Sequence, residues 1–320
     1  MRKIFIAAAL VAGLISTSMA QNWPTQPIRL IVNFPPGGAA DQLARLIGQP
    51  LSETLGQPVV IENKGGAGGN LGAELVARAT PDGHTLLMSS GGMVAINPHI
   101  YAKMSFDPTK DIIPVASVAR VPFYLVIRAD NPAQDFEAFV ADLKANPGKR
   151  NFGSPGIGSS PHLAGELLKK MTGTEATHIP YRGAAPALND LLAGQLDFLF
   201  DPGIAIEHVK AGKLRVLAIG SPERSLQLAD VSTLDELGLK GFDADATFGV
   251  YAPAGTSADI VARLNKEINR SLATPMLKER IATLGNIAAP MSPDDFKEKS
   301  RKDSERFGAI IKERGITAGN

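Results

Sequence analysis

The stretch from Ile28 to Asp41 does most to limit what this chain can fold into. An apolar run, Ile28 to Val32, breaks into Phe34-Pro35-Pro36-Gly37-Gly38-Ala39-Ala40-Asp41. Leu43, Leu46, Ile47, Leu51 and Leu55 follow at helical spacing, so the segment reads as strand, tight glycine loop and helix. Such a loop leaves backbone N–H groups free at a helix N-terminus, where the helix dipole adds partial positive charge. The place suits a small anion. Gly37 and Gly38 have no side chains to hold a ligand away from the main chain. Asp41 falls in the first helical turn as a cap. An ordinary tight strand-to-helix turn has the same local sequence. A phosphate loop does not fit, because no Gly-Lys-Ser/Thr follows.

A similar loop, Gly153 to His162, lies near the middle of the chain. Its Ser159 and Ser160 stand just before a helix, where a hydroxyl can cap the helix or reach a ligand. The two loops are expected to face each other across a cleft and hold one carboxylate. Between them the pattern alternates. Val59–Glu62 reads as a strand, followed by a glycine-rich turn and a helix with Leu71, Leu75, Val76 and Ala79 on one stripe. Thr85–Met88 is a strand that empties into Ser89 and Ser90. Phe123–Ile127, 150–153, a segment near Thr177, Leu196–Phe200, Leu214–Ile219 and Phe248–Ala252 are further strands, with helices between and after them. This is the signature of an α/β protein with parallel βα units.

The length suggests two domains. We expect residues 21–123 and 249–320 to form a discontinuous first domain and 124–248 a second, inserted into it. Phe123–Ile127 and Thr247–Ala252 are the candidate crossover strands. The N-terminus reads as a signal peptide, 1–20: Arg2 and Lys3, an apolar stretch from Ile4 to Ile15, and Ser18-Met19-Ala20 before cleavage. The chain has no cysteine, which excludes thiol chemistry, disulfides and cysteine-bound metals. A formal net charge of +1 without a basic stripe gives no footprint for nucleic acid.

Other motifs are weaker. Gly66 to Leu71 breaks the dinucleotide spacing, because Leu71 stands where the third glycine belongs. The five histidines have no metal-ligand spacing, so neither cofactor nor metal is expected. No Gly-x-Ser-x-Gly elbow supports an exported serine hydrolase, although His162 follows Ser159 by three residues. Arg182 is either a carboxylate contact or a solvated surface residue. Tyr181 is a cleft wall or core filler. Asp201, at a strand end, accepts from a ligand or caps the next helix.

Taken in order, several stretches resemble the Bug receptors, the extracytoplasmic solute-binding proteins of tripartite tricarboxylate transporters. They are Phe34–Asp41, Gly65-Gly66-Ala67-Gly68-Gly69-Asn70-Leu71-Gly72, Pro81–Leu87, Ser160-Pro161-His162-Leu163, His178–Gly183 with Pro186-Ala187, Leu191–Asp197 and Ala252–Thr256. The resemblance spans nearly all of the chain after the signal peptide. It implies a two-domain periplasmic binding-protein fold with two crossover strands and a closing cleft. It implies a non-enzymatic, monomeric receptor that hands a small carboxylate to a membrane permease: a di- or tricarboxylate, an acidic amino acid or an aromatic acid. Residues carried over as ligand contacts are Pro36, Gly37 and Gly38 on one side and Ser159 and Ser160 on the other, with Ser89, Ser90, Tyr181 and Asp201 behind them. The chain departs at Phe248-Gly249, where the family often has Trp before Gly. A receptor that presents its ligand to a membrane kinase would have the same sequence features.

Overall fold

The fold is that of a computed structural model that describes residues 23–225 and 227–318. The expected signal peptide and cleavage site lie outside the described residues. In β1 (Ile28–Val32), Ile28, Leu30 and Val32 are buried with Leu43, Ile47 and Leu51 of α1 (Ala39–Leu55). Ile31 faces the other way, into a cluster with Val76, Leu87, Tyr251 and Phe296. A strand that buries both faces must lie between two helical layers, and the rest of the first sheet is built to that rule. It continues through β2 (Val59–Asn63), α2 (Asn70–Ala77), β3 (Thr85–Ser90), the short helices α3 (Gly92–Ala95) and α4 (Asn97–Ile100), and β4 (Ile112–Val121).

Pro122 and Phe123 then carry the chain into a second sheet. Its elements are β5 (Tyr124–Arg128), α5 (Phe136–Ala145), β6 (Asn151–Ser154), α6 (Ser160–Thr172), β7 (Thr177–Pro180), α7 (Ala184–Leu192), β8 (Phe198–Asp201), α8 (Ile206–Lys210) and β9 (Leu214–Ile219). The chain returns to the first sheet with β10 (Ala246–Pro253), followed by α9 (Ala258–Leu272), α10 (Pro275–Thr283), β11 (Ile287–Ala288) and α11 (Pro293–Arg314). The strand orders are β11-β4-β10-β3-β1-β2 and β7-β6-β8-β5-β9. In each sheet parallel βα units stand beside antiparallel strands: β10 runs against β3 and β4, and β5 against β8 and β9. This is the two-domain α/β binding-protein fold, with the cleft between the sheets.

The two crossovers are present as expected, each meeting its candidate strand at that strand's start. Tyr124–Ile127 pairs only with β8 and β9, and Thr247–Ala252 is held along β4 and, in part, β3. The crossings are the Pro122-Phe123 link and the irregular segment 220–245, joined where Gly220 N–H donates to Phe123 O at 2.7 Å. The structure corrects several sequence-based expectations. The long strand β4 was not anticipated. Pro114 argues against a paired strand, and it is accommodated at a register shift between Val250 and Tyr251 of β10. In α2, Leu71 is 57% exposed and Ala79 lies past the helix end. Gly72 explains the rotation: a Cβ there would lie 2.6 Å from Lys64 O and 2.8 Å from Asn33 Cβ, so the helix turns its smallest residues to the sheet.

Gly249 has the same role in β10. A Cβ would stand 2.5 Å from the Phe296 ring and 2.6 Å from Ala116 O. Gly249→Ala is therefore expected to cost about 1–3 kcal/mol of stability. A urea melt should register this as a lowered midpoint, and an unchanged midpoint would mean that α11 and β10 part freely.

Candidate functional site

Local sequence makes the loop after β1. Gly37 takes a left-handed φ of 84° and its N–H donates to Asp41 Oδ2 at 3.0 Å. Asp41 also accepts from Arg45 Nε at 3.1 Å. Burial alone would raise Asp41, but Arg45, the Gly37 N–H and Asn63 outweigh it and hold the carboxyl below its ordinary value. The loop is thereby fixed, and the first-turn N–H groups of α1, which have no acceptor inside the helix, open onto the cleft. Pro36, Gly38, Ala39 and Ala40 line it.

Two more helix starts meet them from the second sheet. Ser159 caps α6; its Oγ donates to Gly156 O at 2.8 Å and accepts from the His162 N–H at 3.4 Å. Ser160 follows it into the cleft. Gly183 begins α7, and Ala184, Ala185 and Pro186 line the same space. The cavity measures about 70 Å³. Its remaining walls include Phe34, Phe123, Pro155, Pro202 and Phe248. Among the described residues that line it, none is charged. A Cβ on Gly92 would lie 3.2 Å from Ser160 Oγ and 3.6 Å from Ser90 Oγ. Two hydroxyls, one from each side of the cleft, thus meet over Gly92.

The candidate site residues separate into two groups. Pro36, Gly38, Ser90, Ser159 and Ser160 come together in the cleft. The other four stand apart from it. The Gly37 N–H is held by Asp41. Ser89 is fully buried and donates to Ser90 O at 3.0 Å. Tyr181 donates to Asp190 Oδ2 at 2.7 Å and, with Arg182, borders an outer recess. Asp201 lies beneath the floor, where Oδ1 accepts from the N–H groups of Gly203 at 2.7 Å and Ala205 at 2.8 Å. The α7 start was missed, although Gly183-Ala184-Ala185 repeats the tripeptide Gly38-Ala39-Ala40. His162 points away from both serines: Nδ1 accepts from the Gly158 N–H at 3.1 Å, and Nε2 lies 3.9 Å from Glu166 Oε1. No histidine base activates Ser159 or Ser160, so the hydrolase arrangement is not built.

Residues 43–316 match the model of the tripartite tricarboxylate transporter family receptor. This chain belongs to that family. The family receptor is a solute-binding protein, not an enzyme; it works in the periplasm and serves a membrane permease. The chain is 37% identical to Protein BugT of Bordetella pertussis over 98% of its own length and 95% of that protein's. Among solved structures, it is 34% identical to Rpa4515 of R. palustris, determined with adipate, covering 92% of this chain and 99% of that one with a TM-score of 0.89. MatC from Rhodopseudomonas palustris, with bound malate, is 33% identical over 90% of this chain and all of that one, with a TM-score of 0.85.

Under the receptor's cleft, burial pushes the Asp201 carboxyl up to about 7, although N–H groups of Ala205, Gly203 and Ile204 pull it down; among the described residues Oδ2 has no hydrogen-bond partner. The folded chain keeps this proton where the unfolded chain, with an ordinary value of 3.8, has lost it. That contribution to stability is full below the unfolded value and is lost as pH rises through about 7. Asp201→Asn cannot ionise, so urea midpoints measured at about pH 5 and about pH 8 should differ less than in the wild type. Equal differences would argue that Asp201 is ionised throughout.

Proposed function

We propose that this receptor captures one small carboxylate between its domains and delivers it in the closed form to the permease. The observation that carries this reading is the convergence of three helix N-termini and two hydroxyls on a cleft with no charged lining. Main-chain N–H groups and hydroxyls replace the hydration of the anion, and the helix dipoles favour its charge. Adipate and malate in two related structures agree with a carboxylate. The ligand bridges both sides and biases an open–closed equilibrium. The domain built on the first sheet moves against the domain inserted between β4 and β10, and the receptor acts as a monomer.

The walls narrow the ligand further. Phe34, Phe123 and Phe248 border the cavity, and among the described residues that line it no carboxylate side chain is there to accept from an ammonium. An acid with a hydrocarbon body, aromatic or aliphatic, fits better than an acidic amino acid or a tricarboxylate.

A thermal-shift screen tests this directly, since saturating ligand raises the midpoint according to its affinity. Adipate or benzoate should raise it, and aspartate, citrate and glucose should leave it unchanged. A shift with glucose alone would overturn the reading. Ser160→Ala should weaken binding of the selected acid by about 0.5–3 kcal/mol. At Gly38 a Cβ would meet only Pro35 O, at 3.8 Å. Gly38→Ala should therefore leave the melting midpoint in place while lowering affinity in calorimetry; intact affinity would remove α1 from the site.

A further inference from the structure

Behind the 154–160 loop, on the side away from the cleft, two histidine rings stack with centroids 3.8 Å apart and planes 16° from parallel. His162 belongs to α6 and His178 to β7, and Phe152 lies against His178 at 4.9 Å. Both rings are tied to the loop. The Gly158 N–H donates to His162 Nδ1 at 3.1 Å. His178 Nε2 lies 2.7 Å from Ser154 Oγ, which donates to Gly156 O at 2.9 Å and accepts from the Gly156 N–H at 3.1 Å. Gly156 O also takes the Ser159 hydroxyl. The bonds from the two rings thus reach the residue that caps α6 at the ligand cleft. The loop is held against the first domain as well: a Cβ on Gly158 would lie 1.8 Å from Ile100 Cδ1.

The bond from Gly158 requires an unprotonated Nδ1. A proton there would set two N–H groups against each other, and a charged ring would stack on its neighbour. Glu166 and Lys169 of α6 face the pair, with Glu175 from the segment before β7; Lys170 on the same helix pairs with Glu313 of α11. Burial, the largest cause, pushes His162 down to about 4 and His178 down to about 3; Lys169 lowers both, His162 lowers His178 and Glu166 opposes for His162. The pair borders an outer recess with Glu166, Lys169, Glu175 and residues 315–317, so protons can arrive without passing the ligand.

We propose that neutral His162, with His178 stacked on it, is a positioning residue for the ligand loop, and that acid releases the loop, and with it the ligand, by protonating His162. The ligand half of this statement rests on the carboxylate-receptor reading; the loop half does not. Two measurements separate them. Amide hydrogen exchange at Gly158, corrected for intrinsic rates, should lose protection about tenfold or more between about pH 7 and about pH 4 in the wild type. His162→Asn offers Oδ1 near the place of Nδ1 but does not titrate, and it should keep its protection at both values. His162→Leu should be unprotected at both; if that variant fails to fold, the comparison of wild type with His162→Asn decides. Calorimetry with adipate at about pH 7 should give affinity within about twofold of wild type for His162→Asn and about tenfold weaker for His162→Leu. Gly158 protection indifferent to acid and to His162→Leu overturns the proposal. The expected exchange pattern with no adipate binding by any form upholds the loop assignment and counts against the carboxylate reading.

Discussion

An anion leaves water only where other donors replace its hydration shell. In the proposed reading of this receptor the task falls to the starts of α1, α6 and α7, which the fold brings together at one cleft. Asp41 takes the Gly37 N–H and fixes the first loop. Ser159 caps α6 and takes the third. The two βα units lie in different sheets, so their helix ends face one another only because the chain crosses twice and folds the sheets toward a common cleft. Apolar walls then keep water from competing for the same N–H groups.

Ion pairs and a hydrogen bond tie the crossing region together. Arg120 at the end of β4 reaches Glu223 at 2.6 Å and Asp245 at 3.0 Å, tying the outgoing strand to the returning segment. Ser221 donates to Asp245 as well, at 2.8 Å. Farther out, Phe307, Ile310 and Ile311 of α11 share a buried cluster with Leu163 of α6 and with Ala95, Ile96 and Ile100 of the first domain. One helix therefore packs on both domains.

Much of this was legible in the chain. Strand, glycine loop and helix at Ile28–Leu55 follow from apolar spacing, whereas Asp41, expected as a cap, ties the Gly37 N–H of the loop and caps no helical N–H. What escaped had physical reasons. β4 carries a proline and a run of small residues, and it pairs only because β10 shifts register beside it. Leu71 turns outward because Gly72 needs the close approach, which hydrophobic periodicity cannot reveal. Tyr181 and Asp201 are polar groups near a cleft in sequence but already have partners within their own domain. Ala184 and Ala185 carry no polar side chain, so nothing in their chemistry marks them as cleft residues.

That last point bears on how such a receptor can diversify. Where a lysine or arginine neutralises the ligand, one substitution abolishes recognition. In the site proposed here much of the donor set is main chain, which point substitutions leave largely in place as long as the helices hold their positions. On the walls, Phe34 is only partly buried and can change at less cost than Phe123 and Phe248, which also fill the core. Successive exchanges at Phe34 would move the receptor between acids of different bodies while each intermediate still binds a carboxylate.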